Sequence, residues 1–167
     1  AIDAGIVGAE RIKKFSDKHN PDFITLQEIT EREIRDINGF PKKILDKLGK
    51  DWDYVPSETD CKTFYNTKKF LLVEGVKPPD YEDPLDFKSV SSFAQFESNQ
   101  NNSHAEATSS SKFNILNVHA RFNKDPSYHQ TTIESFLSNE ANNADSITPI
   151  IIGDFNCHIA PLNSELG

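Results

Sequence analysis

The sequence predicts an α/β fold (α+β in some schemes) in one domain spanning residues 1–167, and three observations carry that expectation. In the run Thr148-Pro149-Ile150-Ile151-Ile152-Gly153-Asp154-Phe155-Asn156, three consecutive β-branched apolar residues read as a strand buried on both faces. That strand stops at a glycine, a carboxylate, an aromatic and an amide. The early chain alternates helical and strand periodicity, the middle reads as antiparallel hairpins, and the end reads as a βαβ unit. Finally, three separate strands finish in polar, chemistry-bearing residues rather than in plain turns.

Bulk properties narrow the class. A chain of 167 residues can bury a sizeable core, and 36% hydrophobic with 26% charged residues is an ordinary soluble composition. No apolar run approaches the length of a transmembrane segment. No signal-peptide pattern is visible, although the chain begins at Ala1 and contains no Met, so localisation stays open. The net charge of −8 argues against general electrostatic binding of nucleic acid. Cys61 and Cys157 are too few and too far apart for a disulfide framework or a zinc pattern.

Taken in order, Ile6, Ala9, Ile12 and Phe15 recur at i+3 between Glu10, Arg11, Lys13 and Lys14, which predicts an amphipathic helix. Pro21 stops it near His19 and Asn20. Residues 22–28 follow as a strand with Phe23, Ile24 and Leu26 apolar and Glu28 at its end. A second helix opens at Pro41, buries Ile44, Leu45 and Leu48, and closes at Gly49.

Trp52 and Tyr54 alternate with Asp51 and Asp53. Then Thr63-Phe64-Tyr65 and Phe70-Leu71-Leu72-Val73 predict two strands joined at Asn66-Thr67-Lys68. Residues 77–87 carry Pro78, Pro79 and Pro84 and read as an irregular loop. A strand over 90–96 leads to a Ser- and Asn-rich excursion over 98–111. The chain re-enters as Phe113-Asn114-Ile115-Leu116-Asn117-Val118-His119, where a period of two puts Asn117 and His119 on the face of Phe113 and Ile115. Residues 127–143 read as a helix with Ile133, Phe136 and Leu137 inward.

Glu28, Asn117 with His119, and Asp154 with Asn156 therefore sit at strand ends, where ligands collect in open α/β sheets. Two carboxylates, an imidazole and two amides without a thiolate suit Mg²⁺ or Mn²⁺ with a phosphoryl group and do not suit zinc. A divalent ion neutralises charge building on phosphate oxygens, while His and Asn donate hydrogen bonds to the same atoms. The plainer reading of each residue alone is a surface Glu, a satisfied structural His or an Asp/Asn turn.

Leu26-Gln27-Glu28, Asn117-Val118-His119 and Gly153-Asp154-Phe155-Asn156 resemble the three signature segments of the endonuclease/exonuclease/phosphatase superfamily. Residues 64–73 resemble its central hairpin. The resemblance covers most of the chain. It implies a four-layer αββα sandwich of two mixed sheets and in-line attack of water on phosphorus. It implies Glu28 and Asp154 as metal ligands for Mg²⁺ (or Mn²⁺) and His119, Asp154 and Asn156 as catalytic residues. Asn117, Asn156 and His119 would hold the phosphate, with His119 at the scissile group and Asp154 orienting or deprotonating the water.

Two departures accompany it. The family opens on a strand carrying an Asn and ends with an Asp-His pair. This chain has no such first strand, no Asp-His dipeptide, and only a few residues after Asn156. Neither His158 nor His19 is placed to substitute, and a domain truncated at both ends is the expectation. The expected partner is a phosphate-ester substrate: nucleic acid, a phosphoinositide or a phospholipid head group such as that of sphingomyelin. No protein partner is implied. The competing expectations are a catalytically inactive relative serving as a binding or scaffold domain, and an α/β domain whose strand-end residues are only turns. Lys42, Lys43, Lys47, Lys50, Lys68 and Lys69 read as solvated faces before they read as phosphate contacts.

Overall fold

The computed structural model describes residues 4–29, 39–78, 91–99, 112–120, 126–139 and 147–156. The expected readings of 31–38, 79–87, 100–111 and 140–143 lie outside the described residues.

Helix α1, Ala4–His19, seats Ala9 in the core and half-buries Ile12. Phe15 breaks the expected stripe: it is 53% exposed and packs on the His19 ring at 4.6 Å. The helix stops because Asn20 turns to φ 44 ahead of Pro21, while its N–H still bonds Ser16 O at 2.8 Å. Helix α2, Phe40–Leu48, starts on Pro41, whose missing N–H costs nothing in a first turn. It ends on Gly49 at φ 95, a backbone conformation that a residue with a Cβ resists. Ile44 and Leu48 form its buried face, as the spacing predicts.

Strands β1 (Phe23–Leu26), β2 (Trp52–Tyr54) and β3 (Lys62–Asn66) make one sheet in the order β1-β3-β2, antiparallel throughout, with Phe23 opposite Tyr65 and Tyr54 opposite Phe64. Strands β4 (Phe70–Val73), β5 (Ser91–Ser98), β6 (Lys112–His119) and β7 (Ile147–Asp154) make the other, in sequence order. Helix α3, Pro126–Ser138, connects β6 to β7, and these two strands run parallel. The expected βαβ ending is therefore present.

Three apolar clusters show how the elements stack. Ala9, Ile24, Ile44, Leu48 and Phe64 join α1 and α2 to one face of the antiparallel sheet. Tyr65, Ala94, Phe96 and Ile115, with Phe23, Phe70 and Ile150 against them, fill the space between the sheets. Leu116, Val118, Ala120 and Phe136 seat α3 on the far face of the second sheet. Phe64, Phe96 and Phe136 are wholly buried, one in each cluster, each contributing on the order of 2 kcal/mol.

The structure corrects four expectations. Strands β3 and β4 do not pair as a hairpin. After Asn66, residues 67–69 carry the chain from one sheet to the other, fixed by the Lys68 N–H to Asn66 Oδ1 bond at 3.0 Å. Among the described strands only the second sheet is mixed. Strand β7 is not buried on both faces: it lies at the sheet edge among the described strands, and Ile152 is 43% exposed. Pro149, which has no N–H for a ladder, fits such an edge. Leu137 is also turned outward, at 36% exposure.

Candidate active site

The site lies where β6 and β7 end side by side. Parallel pairing puts His119 in register with Asp154, Val118 with Gly153 and Asn117 with Ile152. This close approach depends on Gly153. A Cβ there would fall 1.9 Å from the Val118 carbonyl oxygen, and the residue sits at φ 150. The glycine thus lets the β7 end lie against β6, and the next residue projects a carboxylate into solvent.

Beyond Asp154 the chain folds back on itself. Asn156, at φ 46, donates its N–H to Asp154 Oδ1 at 2.8 Å and its side-chain amide to Ala120 O at 2.7 Å. The Ala120 N–H in turn bonds the Asp154 carbonyl at 2.7 Å. Together these bonds hold the Asp154 carboxylate and the Asn156 amide on the β6 end. One N–H and the carbonyl oxygen of that amide remain beyond the Ala120 bond.

Asn117 has another place. It is fully buried, and its amide reaches across the seam to the other sheet. Nδ2 donates to Leu26 O at 3.2 Å, Lys62 O at 3.1 Å and Thr63 Oγ1 at 3.4 Å, and Oδ1 accepts from Gln27 Nε2 at 2.7 Å. The expectation that Asn117 holds phosphate gives way, because a closed amide with no exposed surface cannot meet a substrate. It pins the end of β1, and hence the Gln27-Glu28 segment, to β6.

Glu28 follows β1 at φ 59, with its side chain 78% exposed, and Oε1 stands 3.6 Å from His119 Nε2. His119 Nδ1 is 3.0 Å from Asp60 Oδ2. An ionised carboxylate can only accept, so Nδ1 carries the proton of that bond. Nε2 thereby faces the Glu28 carboxylate across 3.6 Å. Asp60 was not legible as a site residue. It also receives the Ile29 N–H on its carbonyl at 2.9 Å and lies 3.9 Å through Oδ1 from Cys61 Sγ. Burial, then the Asp60 charge, pushes the Cys61 thiol up to about 12, so it has no role as a thiolate.

The structure thus brings Glu28, His119, Asp154 and Asn156 to one end of the sheets and moves Asn117 beneath them. Among the described residues no three His, Cys, Asp or Glu side chains are grouped to hold a metal ion. The donors still fit Mg²⁺ or Mn²⁺. Mg²⁺ keeps several waters and commonly takes one or two carboxylates with phosphate oxygens, and Glu28 presents a hard, largely exposed carboxylate.

No protein-family model and no curated protein sequence matches the chain. Solved structures do. ANGEL2, a 2′,3′-cyclic phosphatase crystallised with adenosine-2′,3′-vanadate, superposes with a TM-score of 0.52 at 16% identity, over 88% of this chain and 43% of that one. A humanised D. rerio TDP2 superposes with a TM-score of 0.53 at 11% identity, over 95% and 59%. This is the endonuclease/exonuclease/phosphatase fold. At these identities the likeness concerns the fold. The chain spans about half the length of these two proteins. Within the endonuclease/exonuclease/phosphatase fold, the segments ending in Glu28, His119 and Asn156 converge at one end of the sheets. No described helix is long and apolar enough to cross a membrane.

Proposed function

We propose that the chain belongs to a divalent-metal-dependent phosphoesterase that hydrolyses a phosphodiester or phosphomonoester by in-line attack of water. We read its scaffold as the αββα sandwich, with α1 and α2 outside one sheet and α3 outside the other. The observation that carries the reading is the convergence of His119, its register partner Asp154, and Glu28 at 3.6 Å from the imidazole. Their chemistry matches what an in-line displacement needs at one place: a metal-binding carboxylate, a hydrogen-bond donor and a water-orienting carboxylate.

Glu28, with Asp154 nearby in the site, would hold Mg²⁺ or Mn²⁺, which when bound neutralises charge on the phosphate oxygens. His119, fixed through Nδ1, presents Nε2 to a non-bridging or leaving oxygen. Asp154, held through the Asn156 N–H, orients the attacking water and accepts its proton. Asn156 offers its remaining amide N–H to a phosphate oxygen. The substrate belongs to the phosphate esters: nucleic acid, phosphoinositide or phospholipid head group.

The test is product release from DNA, RNA, a phosphoinositide and a simple diester, with Mg²⁺ and with chelator, for the native chain, Asp154→Ala and Glu28→Ala. Metal-dependent release lost in both variants supports the assignment, and His119→Ala should lower the rate about 10²-fold. Full activity in Asp154→Ala sinks it. No release from any ester, with a melting temperature raised by Mg²⁺, marks a folded metal site without turnover in this chain, and no release with no metal effect favours a binding domain instead.

A further inference from the structure

A small hollow opens between the segment 56–59, which leads from β2 into β3, and the first residues of β5. Its volume is about 230 Å³, and Pro56, Ser57, Thr59, Pro78, Ser91 and Ser92 are among its lining residues. A water takes about 30 Å³ in the liquid and drug-sized sites begin at about 300 Å³, so the space suits one ring. We propose that it binds a single ring carrying neighbouring hydroxyls, the chemistry shared by a furanose and an inositol. The proposal concerns binding alone and does not rest on the phosphoesterase reading.

The observation that carries it is Ser92. The residue is 4% exposed, and its Oγ is the one buried side-chain oxygen or nitrogen among the described residues that has no hydrogen-bond partner. Ser92 stands opposite Asn117 in the β5–β6 register and alternates with Ala94 and Phe96, so it faces the seam. From the other sheet, Ser57 and Thr59 line the same hollow. A buried hydroxyl without a partner forfeits the bonds it had in water, and native proteins leave few such groups. A ligand hydroxyl reaching Ser92 would both donate and accept there.

The opposite wall holds a further proton to give. Ser57 Oγ and Thr59 Oγ1 stand 2.8 Å apart, and each also accepts a backbone N–H, from Thr59 at 3.2 Å and from Cys61 at 3.3 Å. Only one of the two hydroxyl protons can lie between them, so the other meets no acceptor among the described residues. The wall is set in advance, because the wholly buried Lys62 donates its ammonium to the Ser57 carbonyl.

The lining selects a neutral ligand. No lysine, arginine or histidine lines the hollow among the described residues, and its carboxylate, Glu58, is exposed. An anion finds no base there, and one exposed carboxylate is a poor anchor for a cation. Pro56 and Pro78 supply apolar surface for the C–H groups of a ring. Thr59 leads directly into Asp60, which holds His119, so the hollow adjoins a support of the imidazole.

The experiment is a ¹H–¹⁵N shift titration of the 167-residue chain in the presence of chelator. The probes are methyl β-D-ribofuranoside and myo-inositol, each beside a partner of the same ring with fewer hydroxyls, methyl 2-deoxy-β-D-ribofuranoside and cyclohexanol. At least one polyol should give saturable shifts at the amides of residues 57, 59, 92 and 93 and bind about fivefold more tightly than its partner. Which ring saturates tells a nucleoside-like ligand from an inositol-like one. Ser92→Ala should weaken that polyol about fivefold and so erase most of its advantage. The same variant should not lower the melting temperature, since the hydroxyl it removes bonds nothing within the fold. Equal binding of polyol and partner, unchanged affinity in Ser92→Ala, or a melting temperature lowered by several degrees would overturn the proposal. So would the absence of saturable shifts up to about 50 mM, which would leave the hollow to water alone.

Discussion

Asp60 holds His119: its Oδ2 lies 3.0 Å from Nδ1, while its backbone carbonyl accepts the N–H of Ile29, one residue beyond Glu28. One residue ahead of β3 thus positions two site residues, the imidazole directly and Glu28 through the backbone. If His119 acts through Nε2, Asp60→Asn should lower kcat by about 10²-fold with KM nearly unchanged, because the amide can present its N–H and favour the wrong tautomer. Asp60→Glu should recover part of the rate. A variant with altered stability but an unchanged kcat would leave Asp60 a purely structural role.

Asn117 should prove a stability residue first and an activity residue second. Asn117→Leu removes the donor for Leu26 O and Lys62 O, both in the closed seam, and strands the Gln27 amide. Each buried group left without a partner costs about 1–3 kcal/mol, so unfolding in urea should shift by about 3 kcal/mol. Activity should fall as well, since the segment carrying Glu28 loses its tie to β6. A variant that keeps native stability and loses only substrate affinity would restore Asn117 to the phosphate.

That the sequence leaves the seam contacts of Asn117 and the His119 contact of Asp60 unmarked has one cause. Local patterns are legible from period and composition: the Pro41 start and Gly49 stop of α2, the strand end at Glu28, and the Gly153-Asp154 terminus of β7 all follow from short-range rules. Period two also placed Asn117 and His119 on the correct face of β6. What a face meets is set by another sheet. The seam above Asn117 is closed by Leu26, Lys62 and Thr63, while the space above His119 opens toward Glu28 and Asp60. Nothing in the run Thr59-Asp60-Cys61 marks that meeting. The same holds for Ile152, whose apolar character matches a buried strand although its neighbours leave it exposed.

Gly153 should tolerate no side chain. Its Cβ would meet the Val118 carbonyl oxygen at 1.9 Å, a backbone atom in the middle of the parallel ladder that cannot swing aside. Gly153→Ala should destabilise the fold by more than about 2 kcal/mol in thermal or urea unfolding. In whatever fraction folds, Asp154 and His119 should lose their registration and activity with it. A Gly153→Ala chain of native stability would mean that β7 leaves β6 at low cost.

Cys61 gives a pH signature independent of catalysis. It is fully buried, and burial with the adjacent Asp60 charge moves its thiol from an ordinary 9.0 up to about 12. The folded chain therefore keeps its proton where the unfolded chain releases it. Between those values the folded state binds more protons, so Cys61's contribution makes stability fall as pH rises from about 9 toward 12; below 9 the thiol contributes no slope. Cys61→Ala should flatten that part of the curve while lowering stability at neutral pH through the lost packing. In a Cys157→Ser background, labelling of the remaining thiol by an aromatic disulfide reagent should follow the unfolding rate. Rapid labelling of folded chain at pH 8 would contradict the buried, protonated thiol.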